Sequence, residues 1–573
     1  MVDERYLIRG GELLDGTGAL RRRADVRIAH GVVAEVGPDL TPADGEQLIE
    51  AEGRWVLPGF IDVHSHDDAA LLRPRAVEPK LSQGVTTTVV GNCGHGCAPS
   101  VPGEGLEEYS APVLGPFPEQ AFPRFTDYLD TLERSDLDLD VVALVPHGPL
   151  RASVMGMEQK PADAAQIREM TARLDEALDA GAAGLSLGLM YSPGSAADRE
   201  ELLALARTVA RHGKLLVAHI RNEGGRLESS LEEFLALGRD AGCALHVSHL
   251  KVTGTANFGR MPAVIDRLDA ARIQGIDVTA DAYPYTAGST TASTLFPSWV
   301  TARGTDSLLE TLTDPSARSR ALEEMRNPWE GPLENQFFSV GPESILLAGF
   351  GRSEHRELEG RVLVEIAADH GQDPAETLAD LLVGEGGVLT IIIHQSDPEG
   401  MREVLRWPHA FLGSDGLPRE EGYVHPRLFG TFPRMLRRYV LEEGLLTAEE
   451  AVRRMASAPR ERYGLDGGLI APGAPAEVQV IDPVGYTDRA DYQSPRRQTQ
   501  GLDAVLLAGR TAWPRPPTAP GVGRLHRTPR AGSSLSKGAP AASMTAPAPL
   551  TPVAPSVPAA PSVGDVPSTR REI

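Results

Sequence analysis

The sequence is short of cysteine, lysine and long apolar runs. Three cysteines (Cys93, Cys97, Cys243) in 573 residues are too few for a disulfide framework and suit a reducing compartment. No window approaches the ~18 uninterrupted apolar residues of a membrane span. The opening Met1-Val2-Asp3-Glu4-Arg5, with Gly10-Gly11 close behind, lacks the apolar core of a signal peptide. Positive charge is outnumbered, leaving a net charge of −23; a phosphate backbone wants a basic footprint, so no nucleic-acid partner is expected. No repeat, phosphate-binding loop or coiled coil is visible. With 41% apolar residues the chain is an ordinary globular one, long enough for a barrel of ~250 residues and a smaller domain. The expectation is a cytoplasmic enzyme.

What the chain does have is a series of metal-capable side chains at the ends of apolar runs. Residues 60–63 read as a short buried strand opened by the Pro58-Gly59 turn and ending in His64-Ser65-His66. Side chains alternate along a strand, so His64 and His66 leave its end in one direction and can share a divalent ion. Residues 84–90 run into Gly91-Asn92-Cys93-Gly94, 215–218 into His219, 244–248 into His249, and 410–414 into Asp415. One histidine at a strand end is more often a satisfied buried residue, but five such placements are hard to ascribe to chance. Strands alternating with helices give a parallel sheet, and eight of them close a (β/α)8 barrel whose active-site residues come from strand C-terminal ends. Further candidates at 141–145, 184–187, 276–280 and 389–393 make nine strands for eight places. One of the nine is therefore peripheral, or the barrel is distorted.

Four parts are predicted. Residues 1–58 carry short alternating strands split by glycine turns, and residues 461–513 carry a second β-rich piece. Neither is large enough for its own core, so the two ends are expected to pair into one small β-sandwich. Residues 59–460 form the catalytic barrel, with a stretch near 284–349 that lacks barrel periodicity and reads as a lid. From 514 to 573 the chain turns to Pro, Ala, Ser and Thr, which cannot bury enough surface to offset ordering entropy; this part is expected to be disordered.

Zinc takes histidine nitrogen, thiolate sulfur and carboxylate oxygen, and a catalytic zinc keeps one position open. Cys93, His219 and His249 make a tight set; His64, His66 and Asp415 either complete a second, weaker site or orient the first. Read alone, Cys93 is also consistent with a small buried hydrophobe and Asp415 with a turn residue. Beside a metal, Asp415 can take a proton from water and return it to a leaving amine. Arg427 offers a fork suited to a carboxylate. Lys251 lies two residues beyond His249, and Tyr191, Tyr283 and Ser289 supply hydroxyls, though surface hydrogen bonding explains these four equally well. His147, His246, His394 and His425 are read as structural or supporting.

Several strings together resemble the amidohydrolase superfamily and, within it, the N-acyl-D-amino-acid deacylases (D-aminoacylases). They are Leu57-Pro58-Gly59-Phe60-Ile61-Asp62-Val63-His64-Ser65-His66, Gly91-Asn92-Cys93-Gly94, Ala218-His219-Ile220-Arg221-Asn222-Glu223-Gly224, Val247-Ser248-His249-Leu250-Lys251, Tyr283-Pro284-Tyr285-Thr286-Ala287-Gly288-Ser289, Gly413-Ser414-Asp415-Gly416 and His425-Pro426-Arg427. The resemblance spans most of residues 4–512. It implies that Cys93 bridges or anchors the metal, as no lysine ends the fourth strand candidate; that Lys251, Tyr191, Tyr283, Ser289 and Arg427 contact substrate; and that an insertion covers the site. It further implies zinc, one ion tight and a second weaker, and a small N-acyl amino acid as substrate. The expected reaction is hydrolysis of its linear amide, metal-bound water being deprotonated by Asp415. Preference for D over L rests on the resemblance alone. The alternatives are a cyclic-amide hydrolase of the dihydroorotase or hydantoinase kind, and a non-catalytic metal-binding scaffold in which Asp415 is dispensable.

Overall fold

A computed structural model of the protein describes residues 4–100 and 106–528. Eight strands are parallel: β1 (Phe60–Asp62), β2 (Val85–Val90), β3 (Asp140–Ala143, continued by Val145–Pro146), β4 (Gly184–Gly188), β5 (Leu215–His219), β6 (Ala244–Val247), β7 (Val278–Ala282) and β8 (Ala410–Leu412). They pair in chain order, in one run from β1 to β3 and a second from the end of β3 to β8. Backbone bonds complete the ring: Ala183 N donates to Ala143 O at 2.8 Å, and beyond the end of β8 Asp415 N donates to His64 O at 2.8 Å. Strands of such a ring are covered on both faces, which is why β2 is Val-Thr-Thr-Thr-Val-Val and buried throughout. The helices outside are begun by carboxylate caps, as Asp163 caps Ala164–Asp179, and ended by left-handed glycine, as Gly242 (φ 74°) ends Leu227–Ala241.

The two chain ends meet in one eight-stranded sheet. Val478–Ile481 lies antiparallel to Trp55–Pro58 on one side and to Leu502–Leu507 on the other. The sheet encloses an apolar core of its own, drawn from both ends: Tyr6, Ile8, Leu13 and Val26 with Val478, Val480 and Leu506.

One open alternative is resolved and one expectation is corrected. Residues 389–393 are not a barrel strand. Leu389–His394 is the middle of a three-stranded antiparallel sheet with Ala287–Thr291 and Ile345–Phe350, and this sheet and its helices fill the connection between β7 and β8. Ile391 and Ile393 face one apolar cluster and Ile392 another, so the strand is buried on both faces and mimics a barrel strand in sequence. The barrel therefore has the eight strands expected, and the peripheral one of the nine candidates is Leu389–His394.

Residues 514–528, expected in the disordered tail, are laid along the N-terminal ends of β3 to β5. Val141 N donates to Arg524 O (2.9 Å), His526 N to Val141 O (2.8 Å) and Thr528 N to Gly181 O (2.9 Å). Gly521 and Gly523 allow this approach, since a Cβ on either would come within 2.2 Å of Leu137 or Leu139 backbone. His526 meets Asp140, Arg527 meets Asp130 and Glu133, and Lys214 Nζ donates to Thr528 O at 2.6 Å. Composition alone hides a segment held by backbone bonds and ion pairs rather than by apolar bulk. The rest of the expected tail, 529–573, lies outside the described residues. Among the described residues no helix is long and apolar enough to cross a membrane.

Candidate active site

The C-terminal ends of β1, β2, β5, β6 and β8 converge, as expected, on six buried side chains. His64, His66, Cys93 and Asp415 place a ligand atom each within 4.8 Å of one another, and so do Cys93, His219 and His249. Cys93 belongs to both groups: its Sγ is 3.2 Å from His64 Nε2 and 3.2 Å from His249 Nε2. Asp415 Oδ1 is 3.1 Å from His66 Nε2 and 3.5 Å from His64 Nε2.

Backbone geometry aims these groups. Cys93, His249 and Asp415 all have positive φ (53°, 35° and 50°), a conformation that non-glycine residues adopt at a cost and that clusters at functional sites. The glycines beside Cys93 are forced by close approach: a Cβ on Gly91 would lie 2.1 Å from Leu144 O, and one on Gly94 2.6 Å from Gly188 N. Gly413 lets β8 pass His64, whose Cβ would be 2.5 Å from an added Cβ there.

A buried polar layer holds the six in place, and most of it escaped the sequence reading. Asp281, on β7, lies 3.2 Å from His64 Nδ1 and 3.0 Å from His246 Nε2, and accepts from His249 N at 2.9 Å. Lys80 is ion-paired with Asp62 and donates to Ser414 Oγ at 2.6 Å, tying the strand before His64 to the residue before Asp415. Glu223 accepts from Lys251 Nζ at 2.8 Å and sits 3.1 Å from His249 Nδ1. His95 lies edge-on to Tyr191 at 4.6 Å. Asp281 had a signal, a carboxylate at the end of an apolar run. Lys80 and Glu223 stand on a short helix and a loop and had none.

The charge balance follows from these contacts. Burial alone would raise the Asp415 carboxyl, but Arg427, with Nη1 2.9 Å from its Oδ2, and His64 hold it well below the usual range. Burial likewise opposes ionisation of Cys93, yet His64 and His249 bring the thiol well below its ordinary value. Glu223 is pushed up by burial and pulled down further by Lys251 and both neighbouring histidines, to about 2. Burial, then the neighbouring His66, lowers His95 to about 3, so it is a neutral imidazole.

The substrate candidates divide. Lys251, Tyr191, Tyr283 and Ser289 line the cavity that also exposes His66, Cys93, His219, His249 and Asp415. Ser289 Oγ is turned to Ile391 O at 2.9 Å and Tyr191 Oη to Thr290 Oγ1 at 3.3 Å. Arg427 does not line the cavity; its fork is directed at Asp415 behind it, with the guanidinium carbon 4.7 Å from the Tyr283 ring centre.

The donors fit a metal ion. Neither ring nitrogen of buried His219 has a hydrogen-bond partner among the described residues, a costly arrangement unless something else accepts the lone pair. Imidazole, thiolate and carboxylate together are zinc-type donors.

A parallel eight-stranded barrel carrying such a cluster on the C-terminal ends of its strands defines the class of metal-dependent hydrolase barrels. Residues 47–512 match the amidohydrolase family. The chain is 37% identical to the N-acyl-D-glutamate deacylase of Alcaligenes xylosoxydans xylosoxydans, over 91% of this chain and 96% of that one. It is 34% identical to the D-aminoacylase of the same organism, over 88% and 94%. The crystal structure of N-acyl-D-glutamate deacylase from Bordetella bronchiseptica, complexed with zinc and a phosphonate inhibitor, superimposes with a TM-score of 0.78 at 35% identity, covering 91% of this chain and 99% of that one. The chain belongs to the amidohydrolase family, in its D-aminoacylase branch, and is a hydrolase of carbon–nitrogen bonds other than peptide bonds.

Proposed function

We propose that the protein is a zinc-dependent deacylase that cleaves the linear amide of N-acyl-D-amino acids into a carboxylate and a D-amino acid. The observation that carries this reading is the shared thiolate: Cys93 Sγ stands between His64 and His249 at 3.2 Å from each, with Asp415 beside them. Cys93, His219 and His249 would hold one zinc tightly, and His64, His66 and Asp415 a second, weaker one with Cys93 in common. When bound, zinc polarises an acyl carbonyl and brings a water's pKa toward ~7.

Asp415, kept ionised by Arg427, takes the proton of the attacking water and returns it to the departing nitrogen. Lys251, 6.0 Å from the centre of the Tyr283 ring, supplies the cation for the substrate's carboxylate, and Arg427, 4.7 Å from that ring and behind it, adds positive charge without lining the cavity. Tyr191, Tyr283 and Ser289 orient the amide by their hydroxyls, and the β7–β8 connection acts as the lid. The D configuration is carried over from the relatives.

Amine release from N-acetyl-D- and N-acetyl-L-methionine and glutamate, with zinc-replete protein, tests the reading. Turnover is expected for D substrates only, and Asp415→Asn is expected to lose it by at least ~10³-fold while retaining the tight zinc. Turnover of L substrates or of cyclic amides alone would replace it.

A further inference from the structure

The cavity over the metal cluster does not end at His219. Met190, His219, Glu223 and Gln336 form one of its walls and, from the other side, the inner end of a second cavity. That second cavity, which like the first has a volume of only about 30 Å³, ends on Ser195, Ser298, Trp329 and Leu333, which also line an outer chamber of about 800 Å³. An occupant of the line must push these shared side chains aside. Three spaces thus share walls in series, from the Cys93 thiol out to a chamber flanked by Trp299 and Trp329.

The chemistry of the walls changes along this line. At the inner mouth stands the Glu223 carboxylate, paired with Lys251 on its far side. In the middle, polar groups are engaged with one another: Ser192 Oγ with Thr301 Oγ1 (3.0 Å), Ser195 Oγ with Gln159 Oε1 (3.2 Å), and Arg221 with Glu233 (3.0 Å) and Ser195 O (2.8 Å). No wall therefore offers an uncommitted cation among the described residues. At the outer end both indole N–H groups are satisfied, Trp299 by Glu324 Oε2 (2.8 Å) and Trp329 by Glu324 O (3.0 Å). What the two tryptophans have left to offer is ring surface, on Trp299 only the face that the Arg320 guanidinium, 4.4 Å from the ring centre, does not cover. An anionic group is repelled by Glu223 at the entrance, and the cations beyond it, Arg221, Lys160 and Arg320, are already paired with Glu233, Glu158 and Glu324. A neutral chain with an apolar end suits every stage.

We propose that this passage receives the acyl half of the substrate, and that the preferred substrates carry a neutral medium-chain or aryl-alkyl acyl group reaching Trp299 and Trp329. The carboxylate half stays on the opposite side of the metal cluster, with Lys251 beside Tyr283. This rests on the deacylase reading above and adds to it which acyl groups the enzyme is built for. Burying a methylene gains ~3- to 4-fold in binding, so lengthening an acyl chain along such a passage compounds quickly.

The test compares kcat/KM for N-acetyl-, N-butanoyl-, N-octanoyl- and N-(3-phenylpropanoyl)-D-methionine on the zinc-loaded enzyme. The octanoyl and phenylpropanoyl substrates are expected to exceed acetyl by at least ~10-fold. Trp329→Ala is expected to remove most of that advantage and to leave acetyl turnover within ~2-fold. Leu333→Trp, which narrows the passage without emptying the chamber, is expected to act in the same direction and guards against misfolding of the alanine variant. Acetyl turned over as well as the longer chains, or both variants slowing all acyl groups alike, would overturn the proposal. Were no acyl-D-amino acid cleaved, the deacylase reading would fall, and quenching of tryptophan emission by N-octanoyl- against N-acetyl-D-methionine would judge the passage by itself. Tighter octanoyl binding, lost in Leu333→Trp, supports it; equal binding sinks it.

Discussion

Arg427 Nη1 stands 2.9 Å from Asp415 Oδ2 while its guanidinium lies 4.7 Å from the centre of the Tyr283 ring. One buried cation therefore serves the proposed proton carrier and a wall of the substrate cavity together. Removing one partner of a buried ion pair typically costs 3–5 kcal/mol, and much of that loss here would fall on the ionisation of Asp415. Arg427→Ala is expected to lower kcat/KM by ~100-fold or more. Arg427→Lys is expected to recover little, because an ammonium reproduces neither the fork nor the stacking on Tyr283. Steady-state kinetics on both variants, with zinc content checked, decides this; near-native activity in Arg427→Lys would show that charge alone is needed.

Asp281 organises the proposed metal ligands without belonging to them. Its two oxygens fix the His64 ring, the His246 ring and the His249 backbone. A carboxylate on the far nitrogen of a ligating histidine sets its tautomer and orientation, and its loss commonly weakens metal binding by 10–100-fold. Asp281→Asn keeps the shape but changes the acceptor, and is expected to lower zinc affinity by about that factor, measured by competition with a chelator. His246→Phe, which removes only the outer member of the chain, is expected to have a smaller effect. Unchanged zinc affinity in Asp281→Asn would reduce the residue to a packing role.

How far the site was legible depends on what each residue announces. His64, His66, Cys93, His219, His249 and Asp415 all stand just beyond apolar runs, and in a parallel barrel every such position faces the same way. Chemistry-bearing residue types and strand ends were thus enough to bring six side chains together. Glu223 and Lys80 depend on what stands opposite them in space, and neither ends an apolar run. Asp281 does end one but is a residue type common enough to be passed over. The fold was legible for the same reason and failed for a related one. Leu389–His394 is apolar on both faces, and a middle strand of an antiparallel sheet under helices cannot be told from a barrel strand by composition. Arg427 reads in sequence as a fork for a substrate's carboxylate, and the carboxylate it meets in the structure is that of Asp415, because a guanidinium fork suits any carboxylate.

Glu223 makes acid sensitivity testable. Burial raises its carboxyl, but Lys251, His219 and His249 lower it further, to about 2. Its folded value is thus below its unfolded one, so it contributes stability that is fully present above the ordinary glutamate range and is lost as pH falls from about 4.5 toward 2. The contribution is at most roughly 3 kcal/mol. Denaturant unfolding of zinc-free protein at steps from pH 6 to pH 3 is expected to show the loss, with a shallower slope in Glu223→Gln. Parallel slopes in the two proteins would remove Glu223 from the account.

The segment 514–528 gives the last prediction, because its composition and its contacts disagree. Proline and glycine dominate it, yet it adds Leu525 to Val141 as a bridge, pairs Arg515 with Asp138 and His526 with Asp140, and covers the Lys214 ammonium with Thr528. Burial lowers that ammonium to about 8. Ending the chain after Trp513 would expose Asp138, Asp140 and Lys214 and free the backbone of Leu137 to Val141, groups that cost most when their partners go. The shortened protein is expected to melt about 5 °C lower with its kcat/KM within ~2-fold, since these contacts lie at the opposite end of the barrel from Cys93. Thermal unfolding of the two proteins side by side checks this. An unchanged midpoint would mean that the segment is laid on the barrel without supporting it, and a large loss of activity would mean that the two ends of the barrel are coupled.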